Sequence, residues 1–299
     1  MNKKLLVLAL TGPLTAAGSA YAAEPTVSGF TDVQWLLTNE ADEDQEGQFS
    51  VPQVEVDVET DNLYVAIAGS DSDSFGVGQA YFMHNLNDAW QFRGGVFDSN
   101  ITADAGAAVD MEFTQNSLLF GVLDSVGGAA LTGVAVSGAV GPANVMVGYA
   151  NDSSVTTGER KNSVALLVNA TPMEGLDVEF GMLTQDKDGD GVGNLMDING
   201  TYMINGFTVG LDYLSGADGD TGEFDNGYSF WGGYDFGNGF NVKARIESVS
   251  LVDGDDVDAT ELYASYALSE NLAVALSLHN TDNGTTDFDT NTVEFVATF

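Results

Sequence analysis

From residue 27 to the last, stretches in which apolar and polar residues alternate one for one are separated by connections that are by turns short and long. A two-residue period places successive side chains on opposite faces of an extended strand, so each stretch has one apolar and one polar face. The final segment is the clearest case. Val293, Phe295, Ala297 and Phe299 share one face, and Thr292, Glu294 and Thr298 share the other. No helices are offered to cover a sheet face, so the apolar faces must meet either lipid or a second sheet.

Stretches with strand character fall at 27–38, 49–60, 63–69, 77–85 and 89–97, then at 131–140, 143–151, 162–170, 176–185, 194–204 and 207–215, and finally at 228–236, 240–250, 258–267, 271–280 and 288–299. Short connections fall at 61–62, 86–88, 141–142, 171–175, 205–206, 237–239 and 268–270. Long polar ones fall at 39–48, 70–76, 98–130, 152–161, 186–193, 216–227, 251–257 and 281–287. This parity fits a barrel with tight turns on one rim and longer loops on the other, and a soluble sandwich has no reason to keep it. A bilayer admits only helices or closed barrels, because every backbone N–H and C=O must be paired. The expected fold is therefore all-β: a transmembrane antiparallel up-and-down β-barrel of about sixteen strands, formed as one domain by residues 23–299. Aromatics near strand ends (Trp35, Tyr81, Trp90, Tyr149, Tyr213, Trp231, Tyr234, Tyr266 and Phe299) are expected to form interfacial girdles.

Lys3 and Lys4, the apolar run from Leu5 to Leu10 extending to Ala17, and Ala20-Tyr21-Ala22 read as an export signal over residues 1–22. That run is too short to span a membrane, and no later run approaches the roughly 18 apolar residues of a membrane helix. Residues this apolar on one face, exported without a helical anchor, are expected in the outer membrane. The chain has no cysteine, which removes disulfides, thiol nucleophiles and thiolate metal sites together, and only His84 and His279 offer imidazole. Acidic residues number 45 against 8 basic ones, for a net charge of −37. Such a chain repels nucleic acid and anionic headgroups. Its acidity fits attraction of cations and fits a saline habitat equally.

Functional candidates follow from the same alternation. In 89–97 the apolar register of Trp90, Phe92 and Val96 turns Arg93 inward. In 240–250 the register of Val242, Ala244 and Ile246 turns Lys243, Arg245 and Glu247 inward. An Arg or Lys facing lipid near the midplane costs about 2–4 kcal/mol, which favours the inward assignment. By the same test Glu55, Asp57, Glu59, Glu179 and Asp212 face the lumen, where opposed charges would set a transverse field and tune selectivity, or would simply brace the wall. Segment 98–130 is far too long for an ordinary connection. Its second part, with Phe113, Asn116, Leu118 and Phe120, is apolar enough to need burial and is expected to fold into the lumen and narrow it. Asp186-Lys187-Asp188-Gly189-Asp190-Gly191, continuing to Asn194 and Asp197, has the oxygen spacing of a calcium loop. It resembles thrombospondin type 3 repeats and EF-hand loops, but occurs once, between strands and without a terminal Glu. A structural Ca²⁺ is the only cofactor it suggests, and a solvated acidic hairpin is the alternative.

Three sets of motifs carry a resemblance to a known family: Gln115-Asn116-Ser117-Leu118-Leu119-Phe120-Gly121 with Leu131-Thr132-Gly133-Val134, then Thr171-Pro172-Met173-Glu174-Gly175-Leu176, and then Asp197-Ile198-Asn199-Gly200-Thr201-Tyr202 with Gly210-Leu211-Asp212-Tyr213. In these the chain resembles the OmpL-like outer-membrane β-barrel porins over most of its length. The resemblance implies a porin, with trimeric assembly as in porins of this size. The chain departs from porin relatives in its few basic residues, so no anion preference carries over. The terminal Phe299 also resembles the signal that barrel-assembly machinery reads. Together these readings predict a non-enzymatic, water-filled channel for small hydrophilic solutes, with cations preferred. The alternatives are a substrate-selective channel, for example for sugars, which would need an inward aromatic track beyond Trp231, Tyr263 and Phe97, and a plugged structural or adhesive barrel. A barrel hydrolase would have to use His84, or His279 with Ser277, and lacks an evident triad.

Overall fold

A computed structural model describes residues 24–40, 43–44, 47–72, 74–104, 113–151, 161–185, 193–216, 224–252, 254–285 and 287–299. Among them run sixteen long strands: β1 Thr26–Glu40, β2 Gln48–Thr60, β3 Leu63–Gly69, β4 Gly76–Asn85, β5 Trp90–Asp98, β6 Ala130–Val140, β7 Ala143–Asn151, β8 Asn162–Met173, β9 Leu176–Leu183, β10 Leu195–Ile204, β11 Phe207–Ser215, β12 Phe224–Asp235, β13 Phe240–Leu251, β14 Val257–Ser269, β15 Leu272–Asp282 and β16 Asp287–Thr298. A two-residue pairing at Glu43–Asp44 prolongs the ribbon between β1 and β2.

Each strand pairs antiparallel with its sequence neighbours, and β1 closes on β16 from Phe30↔Thr298 to Glu40↔Phe288. The result is the closed up-and-down barrel that the alternation requires, with no edge left unpaired. Predicted and observed strands agree one for one, most ends falling within about two residues. β12 is the clearest exception, reaching back to Phe224 where the alternation suggested 228. Tight turns form one rim. At Asn205-Gly206 both residues hold positive φ (50° and 84°), the combination a two-residue hairpin needs.

The alternation resolves into an apolar outside and a mixed inside. Val209, Leu211, Phe230, Ile246, Leu262 and Leu276 are exposed on the outer face at mid-height. At the turn rim Phe207, Tyr234, Phe236 and Phe240 pack ring to ring. Nearer the loop rim Tyr149, Tyr213 and Tyr228 are exposed. These positions form the two interfacial belts of a membrane barrel. Tyr81 and Trp231 correct the girdle expectation. Tyr81 faces inward, its ring 5.2 Å from that of Tyr64 and 6.2 Å from that of Phe97, and Trp231 is buried opposite Arg245.

On the inside, cross-strand rows can be followed from strand to strand. Asn144, Asn169, Glu179, Asn199 and Asp212 are successive neighbours on β7 to β11. Trp231, Arg245, Glu261 and His279 form another row on β12 to β15.

Candidate functional site: the lumen and its in-folded segment

The described parts of the connection between β5 and β6, residues 99–104 and 113–129, lie inside the barrel. Ile101, Phe113, Leu119 and Leu123 on it are buried, and a short helix, α1 Leu118–Ser125, packs toward β12 and β13. Ser117 caps α1, its hydroxyl accepting from Phe120 N at 3.0 Å. The underside of the segment meets an apolar patch of inner wall made by Phe97, Leu131, Leu183, Leu195, Leu214, Phe224 and Val249, most of them near the loop rim. Two wall glycines permit the close approach. A Cβ on Gly181 would lie 2.8 Å from Ile101 Cγ2, and one on Gly227 would lie 2.7 Å from Leu119 Cδ2.

Polar contacts pin the segment to widely separated strands. Ala103 N donates to Asp212 Oδ2 (2.8 Å), Leu118 N to Glu247 Oε1 (3.2 Å) and Thr114 Oγ1 to Glu294 Oε2 (2.9 Å). From the wall, Gln185 Nε2 donates to Val126 O at 2.8 Å. Arg245 is the hub. Only 3% exposed, it donates from Nη2 to Gln115 O (2.8 Å) and to Glu261 (2.8 Å). Its Nε lies 3.1 Å from Glu247, its Nη1 lies 3.5 Å from Asp104, and its guanidinium centre is 4.6 Å from the Phe113 ring. A buried arginine met by three carboxylates, a ring face and a backbone carbonyl is a clamp, and its charge is spent locally.

The predicted lumen residues therefore sort by exposure. Arg245, Glu247 and Asp212 face inward as expected but are buried beneath the segment. Arg245 takes its carboxylates from Asp104, Glu247 and Glu261 rather than from acids across the barrel. Lys243 lies 5.9 Å from the Phe113 and Tyr263 rings. Asp57 accepts from Tyr64 Oη at 2.8 Å, Glu179 accepts from Asn199 at 3.2 Å, and Glu59 is exposed. Arg93 sits 5.9 Å from the Tyr81 ring and 5.4 Å from the Phe97 ring. Of the constriction candidates, Phe113 and Leu118 pack inward with the segment, Asn116 offers its carbonyl to Arg245, and Phe120 lines a remaining space.

Of the calcium set, Asp186, Asp188 and Asp190 lie outside the described residues. Asn194 and Asp197 fall on opposite faces of the β10 wall: Asn194 is exposed, whereas Asp197 is fully buried in the lumen and accepts from Asn199 at 2.8 Å. Asp197 is thus removed from the set by the strand register. Among the described residues no group of three or more acids and histidines could hold a metal ion.

Space remains beside the segment. A cavity of about 620 Å³ at the loop side is lined by Asp32, Gln34, Gln53, Ala68, Gly78 and the segment's residues 114–116. A second, of about 310 Å³, lies between Glu55, Tyr64 and Gln79 on β2 to β4 and Asp98, Asn100, Asp104, Phe120 and Asp124. A third, of about 750 Å³, occupies the turn side around Arg93. The first two carry five described carboxylates (Asp32, Glu55, Asp98, Asp104 and Asp124) and no lysine or arginine.

Sequence reasoning missed Asp104, Glu261, Asp32 and Gln34. The alternation of β14 and β1 would have turned the last three inward, whereas the position of Asp104 depends on how the segment folds.

No family model and no curated relative matches the chain. Solved structures do. A variant of the Rh. blastica porin matches 92% of this chain and 100% of its own at 15% identity, with a TM-score of 0.64. A loop-deletion variant of OmpT, an outer-membrane protein of Vibrio cholerae, matches 92% of this chain and 99% of its own at 16% identity, with a TM-score of 0.63. The chain has the sixteen-strand barrel fold of bacterial outer-membrane porins.

Proposed function

We propose that this protein is an outer-membrane diffusion channel of the porin type, which passes small hydrophilic solutes and ions and favours cations. One observation carries the cation preference: the cavities between the in-folded segment and the β2–β4 wall are lined by acids and by no described lysine or arginine. Carboxylates in a narrow, low-dielectric passage raise the local concentration of cations. Arg245 on β13 is neutralised by Asp104, Glu247 and Glu261, which leaves Asp32, Glu55, Asp98 and Asp124 as the acids of these cavities.

The barrel fold and the porins it resembles support the channel and its outer-membrane location. The OmpL-like motifs, the leader at residues 1–22 and the terminal Phe299 support export, delivery by the barrel-assembly machinery and trimeric assembly. No catalytic step belongs to this reading. Ser277, which would have to serve His279 as a nucleophile, donates its hydroxyl to Glu261 Oε1 at 2.5 Å instead.

Single-channel recording of the refolded mature protein in a planar bilayer under a KCl gradient tests the proposal. Stable open steps with a reversal potential displaced toward that of K⁺ are expected, and the displacement should shrink in Glu55→Gln/Asp98→Asn/Asp124→Asn. Open steps without cation preference would assign the acidity to habitat. A folded barrel that never conducts would be a plugged one.

A further inference from the structure

We infer that Arg93 and the amide side chains around it form a binding subsite for small monocarboxylates that also carry hydroxyl groups, of the kind and size of a sugar acid. The inference deepens the channel reading by naming a solute class, and it rests on that reading for the route by which the solute arrives.

Arg93 is anomalous in so acidic a chain. Acids outnumber bases 45 to 8, yet among the described residues the Arg93 side chain makes no ion pair and no hydrogen bond. Its Nε is buried without a hydrogen-bond partner, and its guanidinium lies against the Tyr81 and Phe97 rings. Ring faces hold a guanidinium in place without consuming its in-plane donors, so the fork stays available to a carboxylate. The Nε itself is shut off from solvent, so a carboxylate in the cavity would meet the guanidinium through its terminal Nη donors.

The surroundings define the rest of the ligand. Arg93 lines the 750 Å³ cavity together with Asn85, Gln91, Ser137, Asn144 and Asn169. Gln91 and Ser137 are cross-strand partners, as are Asn144 and Asn169, so these side chains share one inner wall. Among the described residues the Asn144 and Asn169 side chains make no hydrogen bond, and each amide offers both donors and an acceptor, which suits hydroxyl groups. The one lining carboxylate, Asp88, belongs to the turn at the rim and makes no ion pair with Arg93. The volume falls in the range of small-molecule sites. The cavity opens on the turn side, so an anion can enter without first passing the acidic cavities.

Saturation-transfer NMR on the folded, detergent-solubilised protein tests this without requiring conductance. Gluconate is the probe, with sorbitol as its uncharged counterpart and acetate as the carboxylate without hydroxyls. Gluconate is expected to bind about tenfold more tightly than either control. Arg93→Gln should abolish that advantage, Arg93→Lys should keep only part of it, and Asn169→Ala should weaken gluconate about threefold without changing acetate. Equal binding of gluconate and acetate would reduce the site to a simple anion site and overturn the proposal, as would equal binding of sorbitol or an unchanged Arg93→Gln. If Arg93→Gln fails to fold, Asn169→Ala and Asn144→Ala read the same site from other strands. Gluconate binding by a barrel that never conducts would sink the channel and leave the subsite, and a conducting barrel blind to gluconate would do the reverse.

Discussion

Arg245 illustrates what one inward cation can become once a segment folds over it. Alternation alone turns it into the lumen, but its environment depends on Asp104 and on Gln115, the nearer of the two at 130 residues away in the chain. Arg245→Gln leaves Glu261 and Glu247 buried without their counter-charge, and removing one member of such a cluster costs about 3–5 kcal/mol. Thermal unfolding should register that loss, and single-channel current should rise as the segment loosens. Asp197 and Asp212 offer the opposite case. They lie on paired strands of the inner wall, and Asp197 Oδ2 and Asp212 Oδ1 are buried with no hydrogen-bond partner among the described residues. Asp197→Asn supplies an amide donor where two buried carboxyl oxygens lack one, so the variant is expected to melt at a higher temperature than the native protein. The facing of these residues was legible in the sequence, because a two-residue period fixes it. Their partners were not, because pairing between distant strands follows from closure and from the path of the segment.

At the scale of elements the in-folded segment is the least ordinary part. Its length and its apolar second half were enough to predict that it leaves the rim for the lumen. The helix was not anticipated, although Ser117 as a cap before Leu118, Leu119, Val122 and Leu123 at helical spacing would have signalled it. Leu119 and Leu123 are buried against the wall, so Leu119→Ala with Leu123→Ala should cost about 2–5 kcal/mol each. The expected readouts are a lower melting temperature and noisier, larger open steps. Gly181→Val attacks the same contact from the wall. Ile101 Cγ2 and its backbone O lie 2.8 Å and 3.1 Å from the new Cβ, and overpacking of this kind costs about 1–3 kcal/mol. Strand existence and order were readable because every turn keeps to one rim. Strand ends were less so, since β12 continues past the alternating stretch to bring Phe224 onto the inner patch.

Taken as a whole, the molecule is closed by one seam, where β1 meets β16 and Phe299 N donates to Gly29 O at 3.0 Å. A chain truncated before Asp287 exposes two unpaired edges in lipid. It should therefore lose the faster gel mobility that an unheated, SDS-resistant barrel displays. The apolar patch under Ile101, Leu119 and Leu123 has a bearing on how this seam comes to be joined. That patch draws on strands from β5 to β13, and the segment's polar anchors reach as far as Glu294 on the last strand. Once the cylinder is complete, seating the segment would mean drawing an oily helix through a wet interior lined with carboxylates. Seating it while the sheet is still an open, curling ribbon avoids that passage and gives the growing wall something to curl around. Seated early, the segment would serve as a former for the wall, since its contacts already span β5 to β16.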